Sequence, residues 1–339
     1  MAMNQKRIAW IDTAKGIGIS LVVFGHDTLS IPLLTFIYSF HIPLFFFLSG
    51  YLFSTKKYPK FGPFLMRKVQ TLVIPYFLFV LILYLYWVFV ARHFGAQTEN
   101  NVSLLQPLWG ALYGSNKLTD IFVALWFINC LFLTSLIFYW FKRIFKNYAI
   151  IIALILSIIG FWLSRHLSFR LPWSLDTAML AILFYGAGHE IKQAEILKKI
   201  SQHLSKYRLI IYSLIFLGFN LLLSRLNGRV DMFTNYYGNY FLFYLAAFAG
   251  IILIVFVAML LDKNRLLEFL GQNSLYIFAF HPVALGILKF IFSHLYSPLA
   301  EGNLMSAVTL TLTCLLGLGI LIYAIRKWMP LNLQKIGFS

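Results

Sequence analysis

The chain has 339 residues, 60% hydrophobic and only 12% charged, with a mean hydropathy of +0.80. These values exclude an ordinary soluble domain and identify a polytopic membrane protein. A formal charge of +17 would suit a nucleic-acid partner if it were concentrated on one exposed face, whereas here the Lys and Arg residues sit between apolar runs.

The apolar runs are long and lack period-2 alternation, so helices rather than barrel strands must span the bilayer. With about 20 apolar residues as the template, ten spans are expected: 10 to 28, 33 to 53, 69 to 91, 121 to 141, 147 to 164, 174 to 191, 209 to 225, 238 to 261, 273 to 296 and 304 to 325. Of the 28 Lys and Arg, twenty fall in the segments on the N-terminal side and six on the other (Arg92, Lys117, Arg165, Arg170, Arg225, Arg229); Lys15 and Lys289 lie within spans. The positive-inside rule therefore places both termini in the cytoplasm and explains the charge as topology. We expect an all-α bundle forming one integral membrane domain over residues 1–339, in contact with membrane lipids and with no nucleic-acid partner. No removable signal peptide is expected, because the first apolar run carries Asp12 and Lys15. Cys130 and Cys314 lie inside apolar runs, as small hydrophobes do.

In the first span Asp12, Lys15 and His26 interrupt an apolar run, where ionisable groups usually face a cavity. Lys15 and His26 are eleven residues apart, three turns plus about 20°, so they share one face about 16 Å apart. Asp12 and Lys15 at i, i+3 can also pair structurally. Ala14 and Gly18 give the helix a small-residue face for close packing. In the second span Pro43 frees the carbonyl of Ser39, which predicts a kink near His41. His41 reads equally as a packing histidine or a functional one, and Ser49 and Gly50 as polar points or close-packing residues. Arg67 and Lys68 stand at the cytoplasmic mouth of the third span, behind Lys56, Lys57 and Lys60. Topological anchoring accounts for the three lysines, whereas a guanidinium beside an apolar run suits bidentate phosphate contact. The loop from 92 to 120, with Trp109 and Tyr113, suggests a short interfacial element, and the basic loop from 192 to 208 a partly helical one. Trp126 and Asn129 offer a polar point at apolar depth, or else a Trp-belt residue and a helix-helix hydrogen bond. Asn273 or Ser274 can cap the ninth span, with His281 about two turns inside it, before Pro282.

These residues resemble the membrane acyltransferase-3 family of O-acyltransferases, and within it the fucose 4-O-acetylase-like branch. The resemblance rests on Asp12, Lys15, Gly25 and His26; on the run from Pro43 to Gly50; on Arg67 with Pro75 and Tyr76; on Leu125 to Phe127; and on Gly271, Ser274 and His281. It implies a ten-helix pore in which acetyl-CoA, the acyl-donor substrate, enters from the cytoplasm and its acetyl group reaches a hydroxyl of an extracytoplasmic or lipid-linked cell-envelope glycan. The setting it implies is a bacterial cytoplasmic membrane. In the family's R/K-x10-H motif the basic residue is Lys15 and the histidine His26. The R-x-x-R pattern is half kept, since Gln70 stands three past Arg67, with Lys68 as the substitute cation. His26 and Asp12 are thus the catalytic candidates, and Lys15, Arg67, Lys68 and Ser49 the donor-binding ones. His41, Trp126, Asn129 and His281 are candidate substrate or pore residues. His26 is expected to act as general base, with a transient acetyl-histidine as the other route.

No metal-ligand spacing, Walker loop, dinucleotide fingerprint or GxSxG elbow occurs, so no metal is expected. Two readings compete: a secondary transporter or exporter that moves a small anion or glycan through the same polar pore unreacted, and a lipid-linked sugar or polysaccharide assembly partner that only binds.

Overall fold

A computed structural model describes residues 8–93, 103–114, 120–295 and 303–328. Fifteen α-helices occur among them: α1 (Ala9–Gly25), α2 (Ile31–Tyr38), α3 (His41–Leu52), α4 (Phe61–Lys68), α5 (Ile74–Tyr86), α6 (Leu105–Tyr113), α7 (Trp126–Ile144), α8 (Ala149–His166), α9 (Leu175–Gln193), α10 (Ile196–His203), α11 (Lys206–Asn227), α12 (Tyr240–Leu260), α13 (Arg265–Gln272), α14 (Ser274–Leu295) and α15 (Leu304–Trp328). Among the described residues eight helical stretches are long and apolar enough to cross a membrane, and the protein is a polytopic helical membrane protein. The other two expected spans are the helices α1 and α9. The 17 residues of α1 reach only about 25 Å, and α9 carries Asp176, His189, Glu190 and Lys192. Both are largely buried, which suits helices that hold polar groups away from lipid.

Three local differences from the sequence expectation have clear causes. The third span starts at Phe61 rather than 69 and runs unbroken to Ala91, so Arg67 and Lys68 lie on a helix and not in a loop. Pro63 is tolerated there because it falls in the first turn of α4. Pro75 frees the carbonyl of Thr71, and the chain relaxes into a π-helical segment at Val69–Val73. The loop after residue 261 holds α13, which packs on α1. A Cβ at Gly271 would overlap the carbonyl oxygen of Asp12, and one at Gly16 the carbonyl of Leu267, so these helices meet backbone to backbone. The side-chain amide of Asn273 does not cap α14: it turns back and donates to the Phe269 carbonyl at 2.7 Å. The expected interfacial element is α6, with Leu105, Trp109 and Leu112 exposed, and the basic loop contains α10. Residues 94–102 and 115–119 of the loop from 92 to 120, with Lys117, and Lys6, Arg7 and Lys335 lie outside the described residues.

The chain divides into two compact units. The first comprises residues 1–48, 191–230 and 237–322. In it α11 packs along α12, and α1 is surrounded by α2, α12, α13 and α14. The expected kink is a break at Ser39 and Phe40 between α2 and α3. Gly250 of α12 admits the Phe40 ring into this elbow, where any Cβ would overlap it. The side chain of Asn220 donates to Ser39 Oγ at 3.0 Å and to the Ala246 carbonyl at 2.7 Å, tying α11 and α12 to the elbow. Gly18 lies against Leu44 and Phe45, and Ala14 is fully buried, as the small-residue face of α1 requires.

The second unit comprises residues 49–190, 231–236 and 323–339. Gly50 lies directly against the Tyr185 carbonyl of α9, which identifies it as a close-packing residue. Phe53 is ringed by Phe64, Phe138, Tyr139, Tyr185 and His189. An antiparallel bridge between Asp231 and Tyr236 closes a short turn, and the Arg170 guanidinium holds that turn to the start of α9 by bonding the Phe233 carbonyl and, at 2.7 Å, the Asp176 carboxylate.

Candidate functional site

Helix α1 ends at Gly25, and His26 is its C-cap, with its N–H shared between the carbonyls of Val22 and Val23 at 3.2 Å each. Gly25 carries no side chain where Tyr38 of α2 lies close against it. The His26 side chain is exposed, whereas its neighbours Asp27 and Thr28 are buried.

Two further histidines from distant parts of the sequence are gathered around His26 within the first unit. The His281 ring lies 4.8 Å from the His26 ring, at 55° to it, and has no exposed surface. Its position follows from Pro282, which lacks an N–H and so leaves the Phe278 carbonyl, one turn back, without its helical donor. His281 Nδ1 supplies the missing bond to Phe278 at 2.8 Å, with the Ile277 carbonyl at 3.3 Å. Carbonyl oxygens only accept, so in the neutral ring Nδ1 carries the hydrogen and Nε2 the lone pair. His281 Nε2 is buried and makes no hydrogen bond. His41, almost fully buried, is anchored in the same way: its Nδ1 donates to the Ile37 carbonyl at 2.8 Å, at the elbow before Pro43, and its ring packs on Tyr38 at 4.7 Å.

Arg229 and Lys289 are the cations whose charge bears on His26. The Arg229 guanidinium lies over the Tyr38 ring, 4.7 Å from its centroid, and is exposed. Lys289 Nζ lies 2.8 Å from Oδ1 of Asp27, whose side chain is completely buried. Sequence reasoning missed Asp27, Arg229 and Tyr38 and left Lys289 without a role. The available signal was an intramembrane lysine, which needs an acidic partner, together with an aspartate next to the candidate histidine.

At the other end of α1, Asp12 Oδ2 accepts a hydrogen bond from Gln272 Nε2 at 3.2 Å. Lys15 is half-buried on the same helix. Because α1 is unbroken, Lys15 and His26 share a face about 16 Å apart. Asp12 is a further turn away, about 21 Å from His26, and belongs to the α13 junction rather than to the histidines.

The remaining candidates lie in the second unit. Ser49 is half-buried on α3. Arg67 and Lys68 are half-buried at the end of α4; Lys68 Nζ sits 5.6 Å from the Phe64 ring, and the Arg67 carbonyl accepts from Thr71 at 2.8 Å. Trp126 and Asn129 are buried at the start of α7, Trp126 near Phe233 and Asn129 beside Tyr76. Trp126 is therefore not a belt residue facing lipid.

An accessible imidazole held beside an ordered one, with two cations nearby and a lysine three turns along the same helix, is equipped to take a proton from a hydroxyl and to hold an extended anionic ligand along α1. An acyltransferase-domain model, Acyl_transf_3, matches residues 8–325, a range that takes in both units. Comparison with curated proteins and with solved structures gives no match.

Proposed function

The chain belongs to the acyltransferase-3 family and is a membrane acyltransferase, and from that premise we propose that it moves an acetyl group from cytoplasmic acetyl-CoA to a hydroxyl of an extracytoplasmic or lipid-linked cell-envelope glycan. The observation that carries this reading is the exposed His26 imidazole at the end of the helix that bears Lys15. In the proposed step a His26 ring nitrogen takes the acceptor hydroxyl proton as the oxygen attacks the thioester carbonyl. The C–S bond then breaks, and the imidazolium returns the proton to the CoA sulfur, leaving an O-acetyl ester and free CoA. Lys15 supports the donor's arm, and Arg67 and Lys68 supply charge for its phosphates. His41, Trp126 and Asn129 belong to the acceptor side of this reading, and a bacterial cytoplasmic membrane is the setting we assign to it. The resemblance to the fucose 4-O-acetylase-like branch supports a sugar acceptor. The direct test is acceptor-dependent release of CoA from radiolabelled acetyl-CoA by the purified protein. Passage of the compounds without CoA release would identify a transporter instead.

The proposed orientation rests on the 20 against 6 partition of Lys and Arg. Cysteines introduced at Lys57 and Lys199, both exposed, are expected to be shielded from an impermeant thiol reagent in intact cells, and one at Asn100, outside the described residues, to react. The native Cys130 and Cys314 are buried and contribute little background. The reverse labelling pattern would overturn cytoplasmic entry of the donor.

Arg67→Ala is expected to raise the KM for acetyl-CoA by tenfold or more, because a charge-assisted phosphate contact is worth about 1.5 to 3 kcal/mol. Unchanged acetyl-CoA kinetics would show Arg67 to be a topological anchor only.

A further inference from the structure

We propose that His281 is the positioning residue for His26: its Nε2 accepts the N–H of the His26 ring and leaves the other His26 nitrogen bare toward the acceptor. This inference rests on His26 being the base of the proposed reaction, and it adds what holds that base in the productive tautomer.

The argument begins at Pro282. The proline orphans the Phe278 carbonyl, His281 Nδ1–H satisfies it at 2.8 Å, and the tautomer of His281 is thereby set with its lone pair on Nε2. That lone pair is buried and has no hydrogen-bond partner among the described residues, and a buried polar atom left without a partner is costly. The ring 4.8 Å away is His26; no hydrogen bond joins the two rings as they stand, and a turn of the exposed His26 ring about its side-chain torsions brings one N–H to Nε2 in the acting geometry. His281 has no exposed surface and His26 is exposed, so acceptor can meet only His26. The division of labour resembles that between a catalytic imidazole and the buried group that orients it: His26 exchanges the proton, and His281 Nε2 holds the opposite nitrogen as donor before, during and after the transfer. His41 differs because its ring is packed on Tyr38.

Two substitutions separate positioning from mere helix repair. His281→Asn puts an amide donor where Nδ1 stood and keeps the Phe278 carbonyl satisfied, but supplies no acceptor at the Nε2 position. His281→Gln reaches the Nε2 position with an acceptor oxygen. Membranes carrying each variant are given radiolabelled acetyl-CoA, and label entering glycan is followed, with thermal unfolding as the check on folding. If His281 positions His26, His281→Asn loses about tenfold to 100-fold in kcat with the KM for acetyl-CoA unchanged, and His281→Gln recovers most of the loss. The 15N signals of His26, assigned by their disappearance in His26→Ala, should show one protonated and one bare nitrogen in the wild type and a mixture of tautomers in His281→Asn. The reverse order of the variants, with Asn active and Gln impaired, would overturn the proposal in favour of a helix-capping role. Full activity in both variants while His26→Ala is dead would overturn positioning and leave the base assignment standing. Retained transfer in His26→Ala would bring down the base reading itself, and the inference with it.

Discussion

His26→Ala is expected to give a folded, membrane-inserted protein that still binds CoA and transfers acetyl groups about 100-fold more slowly or worse. Stability should change little, because the ring is exposed and the C-cap backbone, at φ −82° and ψ −7°, suits alanine as well as histidine. CoA binding should survive because Lys15, about 16 Å along α1, is untouched. Transfer is lost because the imidazole that takes the acceptor hydroxyl proton in the proposed step is gone. The measurement is label passing from acetyl-CoA to glycan, with CoA affinity determined separately. Wild-type transfer would sink the mechanism. If transfer is lost and the wild-type protein itself accumulates labelled acetyl when acceptor is withheld, attack passes through an acetyl-histidine instead of being direct.

The largest stability effect is expected in the second unit. Arg170 forms an ion pair with the Asp176 carboxylate, Nε 2.7 Å from Oδ2, and donates from Nη2 to Asp176 Oδ1 at 3.3 Å and to the Thr177 hydroxyl at 2.7 Å, and from Nη1 to the Phe233 carbonyl. Asp176 is 1% exposed and Arg170 13%. Arg170→Ala would leave a buried carboxylate whose remaining support is a hydrogen bond from Asn235 Nδ2, and stranding one member of a buried pair costs about 3 to 5 kcal/mol. A marked fall in melting temperature and new protease sensitivity at residues 231–236 are therefore expected. Arg170→Lys should rescue only partly, since an ammonium cannot reproduce the guanidinium fork that reaches carboxylate, hydroxyl and carbonyl together. Unchanged melting of Arg170→Ala would show that water already compensates this pair.

The local consequences of proline and of helical spacing were legible in single segments. Pro43 implied the break at Ser39, and the eleven-residue interval put Lys15 and His26 on one face. Hydropathy located the membrane helices, because spanning requires unbroken apolar surface whatever the neighbours are. Boundaries were less legible at Arg67: a run of charge reads as a loop, yet a helix can carry it where the charged heads reach the membrane surface.

Local pattern determined the helices, their approximate lengths and which residues are out of place in them. Tertiary structure alone decided their partners. His26 and His281 stand on helices far apart in sequence and come ring to ring only in the fold, where Gly16 and Gly271 let α13 close on α1 and Gly250 admits Phe40. Asp27 found Lys289 across the fold, whereas Asp176 and Arg170 are six residues apart and meet locally at the start of α9. Each of these groups announces in the sequence that it needs a partner, since burying a charge or a ring nitrogen alone is costly. Which partner it takes depends on how closely two backbones approach, and that distance is a property of the packed helices rather than of either segment.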